Sequence, residues 1–323
     1  MLYRLRRTLH RVVFDAAVRG VLSTPPVRLR AAPLRVVTML SSQDLRMYLV
    51  AIKSFYRFLP GGGVTVMDDG SLTPADHAAL RHHVPGIEIM PLLSVNTGIC
   101  PRGNCWERLL HILDLSRDGY VIQMDSDVLT VAPVPEVVAA IESNTAFTLG
   151  SEAGTAVVSL DEAGARAATM HEGLTQVRAE RLLPGLPADM GRRYIRGSAG
   201  FAGFARGGSS RAAAEAFSGA MAERMGQRWT EWGTEQVASN YLVANSRGGL
   251  VLPWPAYCCF YPGVDHDSAA LLHFIGTWRY RSGVFVRGAR RVVRALSVPA
   301  LVHPEAGGNV ASAEFTRGMA GTN

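Results

Sequence analysis

Two aspartates one residue apart, Asp125 and Asp127, close the apolar run Val121-Ile122-Gln123-Met124. Residues i and i+2 of an extended strand share a face, and two carboxylates on one face repel unless a cation sits between them. The pair therefore reads as a hard-metal site at the carboxyl end of a strand, the edge where α/β proteins bind phosphates. A second group lies far downstream in Leu271-Leu272-His273-Phe274-Ile275-Gly276-Thr277-Trp278-Arg279. His273 can ligate a transition metal such as manganese, Gly276 lets the backbone approach a phosphate, and Arg279 can hold phosphate oxygens in pairs. Taken singly, each has a plainer reading, as capping aspartates or as a core histidine with one hydrogen bond. Taken together they describe a metal and diphosphate site.

Such residues need elements to position them. Residues 34–40 are β-branched and apolar and predict a strand, 44–59 a helix, 64–67 a strand that runs into the turn Asp68-Asp69-Gly70. A helix over 73–82, a strand over 86–90, a helix over 105–115 and a strand over 120–124 follow. Strands alternating with helices predict an α/β fold, a mostly parallel sheet flanked by helices. Beyond it come a short helix over 136–142, a strand over 146–149, and loops with short helices over 161–191. Residues 194–205 contain Gly197-Ser198-Ala199-Gly200, whose small side chains imply close backbone approach. Helices over 211–225 and 234–244, a strand over 271–275 and a basic helix over 284–296 complete the chain, with a frayed tail over 305–323.

The composition, 48% hydrophobic and 19% charged, is that of a folded globular protein rather than a disordered one. The net charge of +6 comes almost wholly from arginine, Lys53 being the one lysine. No basic cluster interleaved with aromatics is present, so nucleic acid is not the expected partner. Cys100, Cys105, Cys258 and Cys259 lack the spacing of a zinc ribbon and read as reduced thiols of a cytoplasmic protein. Residues 1–22 place Leu2, Leu5, Leu9, Val12 and Val13 at helical spacing among five arginines. This basic amphipathic helix has two readings, packing on the domain or contact with an anionic membrane surface, which would put the protein at the inner face of the membrane.

The Asp-Ser-Asp strand end followed by His-Phe-x-Gly-x-x-(basic) resembles glycosyltransferases of the GT-A fold, most of all the glycogenin and lipopolysaccharide galactosyltransferase group, family 8-like. The family's His-Phe-x-Gly-x-x-Lys-Pro-Trp is matched at His273, Phe274 and Gly276, with Arg279 at the lysine and Tyr280-Arg281 in place of Pro-Trp. Arg108, 17 residues before Asp125, fits an arginine that in the family reaches the donor sugar. Gly197-Ser198-Ala199-Gly200 is similar to a Phe-Asn-Ala-Gly strand with Ser198 for the asparagine, and Thr234-Glu235-Gln236 to an Asp-Gln pair near the reacting sugar. The resemblance covers roughly residues 34–281.

It implies a GT-A-like catalytic domain over 34–304, after an N-terminal helix and linker over 1–33. Residues 34–150 would hold the nucleotide sugar, a UDP-sugar by expectation, and 151–304 a glycan, lipid-linked or protein acceptor. Asp127 and His273 would bind Mn2+ or Mg2+, with Asp125 on the ion or the ribose and Ser126 on the donor. Gly276 and Arg279 would cradle the diphosphate. Arg108 and Gln236 would hold the sugar, and Glu235 or Gln236 would stabilise positive charge at the anomeric carbon, with retention of configuration. Tyr48 would stack on the base unless it is a core aromatic, and Asp69 would touch the ribose unless it only holds its turn. Trp229 and Trp232 are candidate acceptor contacts.

Three rivals remain. A haloacid-dehalogenase type phosphatase would use Asp125 as nucleophile, but it needs a later lysine, which the chain lacks, and a later acid pair; Asp265 and Asp267 lie in an irregular Pro/Gly/His segment. A sugar-1-phosphate nucleotidyltransferase would want a Gly-rich basic loop after the first strand, and Ser41-Ser42-Gln43-Asp44 is not one. The last rival is a non-catalytic nucleotide-sugar binding protein.

Overall fold

Four apolar, β-branched strands pair in parallel: β1 (Arg30–Leu40), β2 (Gly61–Asp68), β3 (Glu88–Pro91) and β4 (Tyr120–Met124), in the spatial order β3-β2-β1-β4. The computed structural model describes residues 2–59, 61–152, 154–263 and 266–298, so Asp265 and the tail expected over 305–323 lie outside them. An N-terminal helix, α1 (Leu2–Val18), precedes the sheet, and α2 (Leu45–Tyr56), α3 (Pro74–His83) and α4 (Trp106–Leu115) connect its strands. The start of α3 is written in its sequence: Thr73 accepts the Asp76 amide, Asp76 accepts back, and Pro74 opens the first turn.

All five residues of β4 are buried, which marks the sealed centre of the sheet. On its other side β4 pairs antiparallel with β9 (Ser198–Phe204), then come β6 (Phe147–Leu149) and β10 (Leu250–Leu252). The result is the mixed, mostly parallel sheet flanked by helices that the sequence predicts. A small second sheet joins β5 (Val128–Thr130) antiparallel to β12 (Leu271–His273), which runs parallel to β11 (Tyr257–Cys259). A two-stranded ladder, β7 (Val158–Ser159) with β8 (Arg193–Tyr194), accompanies α6 (Leu160–Ala168) and α7 (Thr175–Leu182) in the stretch expected as loops and short helices. The remaining helices are α5 (Pro135–Glu142), α8 (Arg211–Met225), α9 (Thr234–Asn245) and α10 (Val284–Ser297).

One expectation about the acid pair needs correcting. Asp125 and Asp127 do not owe their common direction to strand alternation. The ladder of β4 stops at Met124, the chain turns with the Val128 amide 3.3 Å from the Asp125 carbonyl, and it restarts as β5 in the other sheet. Asp and Ser favour turns because their side chains compete for backbone hydrogen bonds, and that preference outweighs the apolar run. The strand expected over 271–275 likewise ends at His273, although the Phe274 amide still reaches the Asp127 carbonyl at 3.0 Å. Strands β7, β10 and β11, of two or three residues, are too short to leave a periodic signal.

Candidate metal and diphosphate site

The turn between β4 and β5 lies on β9, where the Asp125 amide donates to the Gly200 carbonyl at 2.8 Å. Pairing of β12 with β5 sets His273 opposite Val128, next to Asp127. As a result one ligand atom from each of Asp125, Asp127 and His273 falls within 4.8 Å of the others. His273 Nε2 is 3.2 Å from Asp127 Oδ1 and 3.5 Å from Asp125 Oδ2. Asp127 and His273 are buried, whereas the Asp125 side chain is 31% exposed and gives the cluster its opening to solvent.

The far side of the imidazole is also held. Nδ1 lies 3.1 Å from Ser198 Oγ and 3.6 Å from Cys259 Sγ, an arrangement that orients the ring and leaves Nε2 toward the carboxylates. Gly200 supplies the room, since a Cβ there would fall inside the His273 ring. The close approach foreseen from the small residues of β9 therefore has a partner, the imidazole of His273.

Two arginines stand on the acids. Arg108, buried on α4, pairs with Asp125 and lies 3.6 Å from Glu235 Oε1. Arg279 pairs with Asp127 and donates from Nε to the Phe274 carbonyl at 3.2 Å. Burial works against ionising Asp125, but Arg108 and His273 hold its pKa well below the usual range. Asp127 is lowered in the same way, with Arg279 and His273 overcoming burial. For His273 burial opposes the charge, yet Asp127 and Asp125 raise its pKa well above the ordinary value. A charged imidazole would stand between the carboxylates where a cation would lie, and a metal would have to displace its proton.

Among the other residues singled out from sequence, Ser126 is half-buried in the same turn. Gln236 reaches β9, its Oε1 accepting the Ala199 amide at 3.3 Å and its Nε2 donating to Gln176 Oε1 at 2.9 Å. Gly276 has φ +48 and open space on its side-chain face, so the backbone there is accessible. Asp69 is exposed at the end of β2, where it accepts the Ser71 amide at 3.0 Å and holds its turn.

Tyr48 is a correction. It is fully enclosed, because α2 is buried at every position from Met47 to Tyr56, so its ring is core rather than a platform for a base. A helix packed on all sides leaves no free face, and one-sided periodicity cannot foretell that. Trp229 is core as well, donating from Nε1 to Ser218 Oγ at 2.8 Å, while Trp232 is 75% exposed. Sequence reasoning missed Cys259, the use of Ser198 as a partner of His273, and Gln123, whose Nε2 bonds the Ala199 carbonyl and lies 3.3 Å from Glu235 Oε1. The small-residue run was the only signal for any of them.

Glu235, in the first turn of α9, is buried behind Arg108. Burial lifts its pKa from 4.5 to about 7, with Arg108 opposing and Asp125 adding to the rise. A carboxyl whose folded pKa exceeds its unfolded value binds its proton more tightly when folded. Its contribution to stability is whole below pH 4.5 and is lost as pH rises toward 7. Glu235→Gln keeps the shape without the charge, so its melting temperature should decline less than the parent's between pH 4.5 and 7. A decline as steep as the parent's would show that another group titrates in that window.

No family model matches the sequence, and no curated protein matches it. Among solved structures the chain is similar to the galactosyltransferase LgtC in complex with donor and acceptor sugar analogues. The identity is 14% over 82% of this chain and 96% of that one, with a TM-score of 0.45. It is also similar to the bifunctional glycosyltransferase WbbM, at 13% identity over 75% of this chain and 46% of that one, TM-score 0.47. A third is mouse xyloside xylosyltransferase 1, at 8% identity over 76% and 98%, TM-score 0.44. Likeness of this order assigns no activity, which has to come from the chemistry of the site.

Proposed function

We propose that the chain is a metal-dependent glycosyltransferase that moves a sugar from a nucleotide diphosphate sugar to a glycan, lipid-linked or protein acceptor. The observation that carries this reading is the convergence of Asp125, Asp127 and His273 with Arg279 directly beside them. Two carboxylate oxygens and an imidazole nitrogen fit a divalent ion, and the imidazole favours Mn2+ over Mg2+, which prefers oxygen donors alone. When bound, the ion supplies positive charge to the diphosphate and to the departing nucleoside diphosphate.

The chain's own residues then have definite tasks. Ser198 keeps the His273 ring turned so that Nε2 serves the site. Arg279 can leave Asp127 for the diphosphate oxygens, taking its charge to where the leaving group develops its own. Arg108 and Gln236 flank the place where the sugar would lie and orient it, and Glu235 behind Arg108 sets the field there. Retention of configuration, a UDP-sugar donor and a ribose contact by Asp69 belong to the same reading. A phosphatase fits less well, because Arg108 and His273 both hold the carboxylate that would have to attack.

Thermal melting with UDP, GDP, ADP and CDP, each with and without manganese, tests it. UDP with manganese should raise the melting temperature by several degrees and UDP alone by much less. No manganese-dependent shift with any nucleoside diphosphate would refute the reading, and a shift with GDP but not UDP would change the donor.

A further inference from the structure

Helix α1 is apolar on two faces. One face buries Phe14 and Val18 against α10, with the Phe14 and Phe285 rings 4.5 Å apart and Phe14 edge-on to Tyr280 at 6.1 Å. The opposite face leaves Leu9, Val12 and Val13 exposed by 60%, 55% and 53%, a stripe at helical spacing. Packing on the domain therefore leaves this second apolar face uncovered. Its neighbour α10 carries Arg287, Arg290, Arg291 and Arg294, all exposed, and no acidic residue. Two of these arginines, with Arg57, also border a cavity of about 760 Å³ floored by Leu129, Leu272 and Phe274, on the opposite side of β12 from His273.

We infer that the α1–α10 flank is a docking surface for an anionic lipid bilayer. Leu9, Val12 and Val13 enter the boundary between headgroups and acyl chains, and the arginines of α10 lie against lipid phosphates. An exposed apolar stripe beside a purely basic helix matches such a surface in both polarity and charge. A protein partner of mixed charge would leave the arginine row without a counterpart. None of these residues belongs to the metal cluster, so the inference is independent of the proposed activity.

Co-sedimentation of the full chain with vesicles tests it. Binding is expected to phosphatidylcholine mixed with phosphatidylglycerol, to be negligible on phosphatidylcholine alone, and to weaken steeply with salt. Leu9→Glu with Val13→Glu should reduce binding by more than about tenfold. Arg290→Ala with Arg294→Ala should reduce it by roughly tenfold and flatten the salt dependence. Both variants should melt as the parent does, since the replaced side chains are exposed. Equal binding to both vesicle types, no binding to either, or parent-like binding by either double variant overturns the inference. So does sedimentation velocity showing a dimer that Leu9→Glu with Val13→Glu dissociates, because the stripe would then serve a second copy of the chain.

Discussion

Asp127→Ala should abolish manganese-dependent binding of a nucleoside diphosphate, a loss of more than about 100-fold. Asp127 is the most deeply engaged member of the cluster: Oδ1 faces His273 at 3.2 Å, Oδ2 takes Arg279, and only 3% of the residue is exposed. Removing it deletes one ligand and leaves Arg279 and His273 facing each other without the carboxylate that balanced them. The Arg279 charge then lies uncompensated beside any incoming metal, so the loss exceeds that of a single ligand bond. Asp127→Asn separates the site from the fold, because it keeps the size of the side chain but not its charge, and turns one of its two acceptor oxygens into a donor. Isothermal titration with manganese and UDP is the measurement, and both variants should fail in it while Asp127→Asn still melts cooperatively. If either binds as the parent does, the metal assignment is wrong.

Gly200→Ala should cost about 1–3 kcal/mol of stability and lower manganese affinity by roughly 10–100-fold. Nothing about Gly200 itself can bind a ligand, so the effect is purely steric: the new methyl group would fall inside the His273 ring. The imidazole has to move, and its bonds with Ser198 and Asp127 cannot both survive that movement. Gly197→Ala is the comparison. Its methyl group would meet the Leu149 carbonyl at 2.6 Å, so stability should fall, but its nearest contacts are Leu149 and Thr148 rather than His273, and manganese affinity should stay close to the parent's. Ser198→Ala leaves the room intact and removes the hydroxyl's bonds with His273 and the Gly200 amide, so a smaller loss of affinity is expected there. Parent-like manganese binding by Gly200→Ala would mean that His273 is not held against β9 when the ion binds.

The elements that position this site were largely legible. The bounds expected for β4 and α8, residues 120–124 and 211–225, are those observed, and α3 begins at its capping threonine. These features depend on neighbours within one or two turns, where hydrophobic period and capping chemistry act. Asp125, Asp127, His273 and Arg279 could be named for the same reason: the capacity of a carboxylate, an imidazole or a guanidinium belongs to the residue. Their mutual placement was not legible. Ser198 and His273 meet across 75 residues because β9 and β12 flank one turn, and nothing local to either records that contact. Tyr48 looked available because its own helix cannot tell how many partners will cover it, and in the assembled fold, where β5, α1 and α10 all pack on α2, its ring is fully enclosed. Thus the sequence alone determined which groups can do chemistry and which segments curl or extend, since those follow from side-chain and short-range backbone energies. Only the tertiary structure decided that the acids sit in a turn rather than on a strand, that arginines neutralise them, and that a glycine makes room for the histidine. Those outcomes depend on which distant surfaces pack together, and packing belongs to the whole chain.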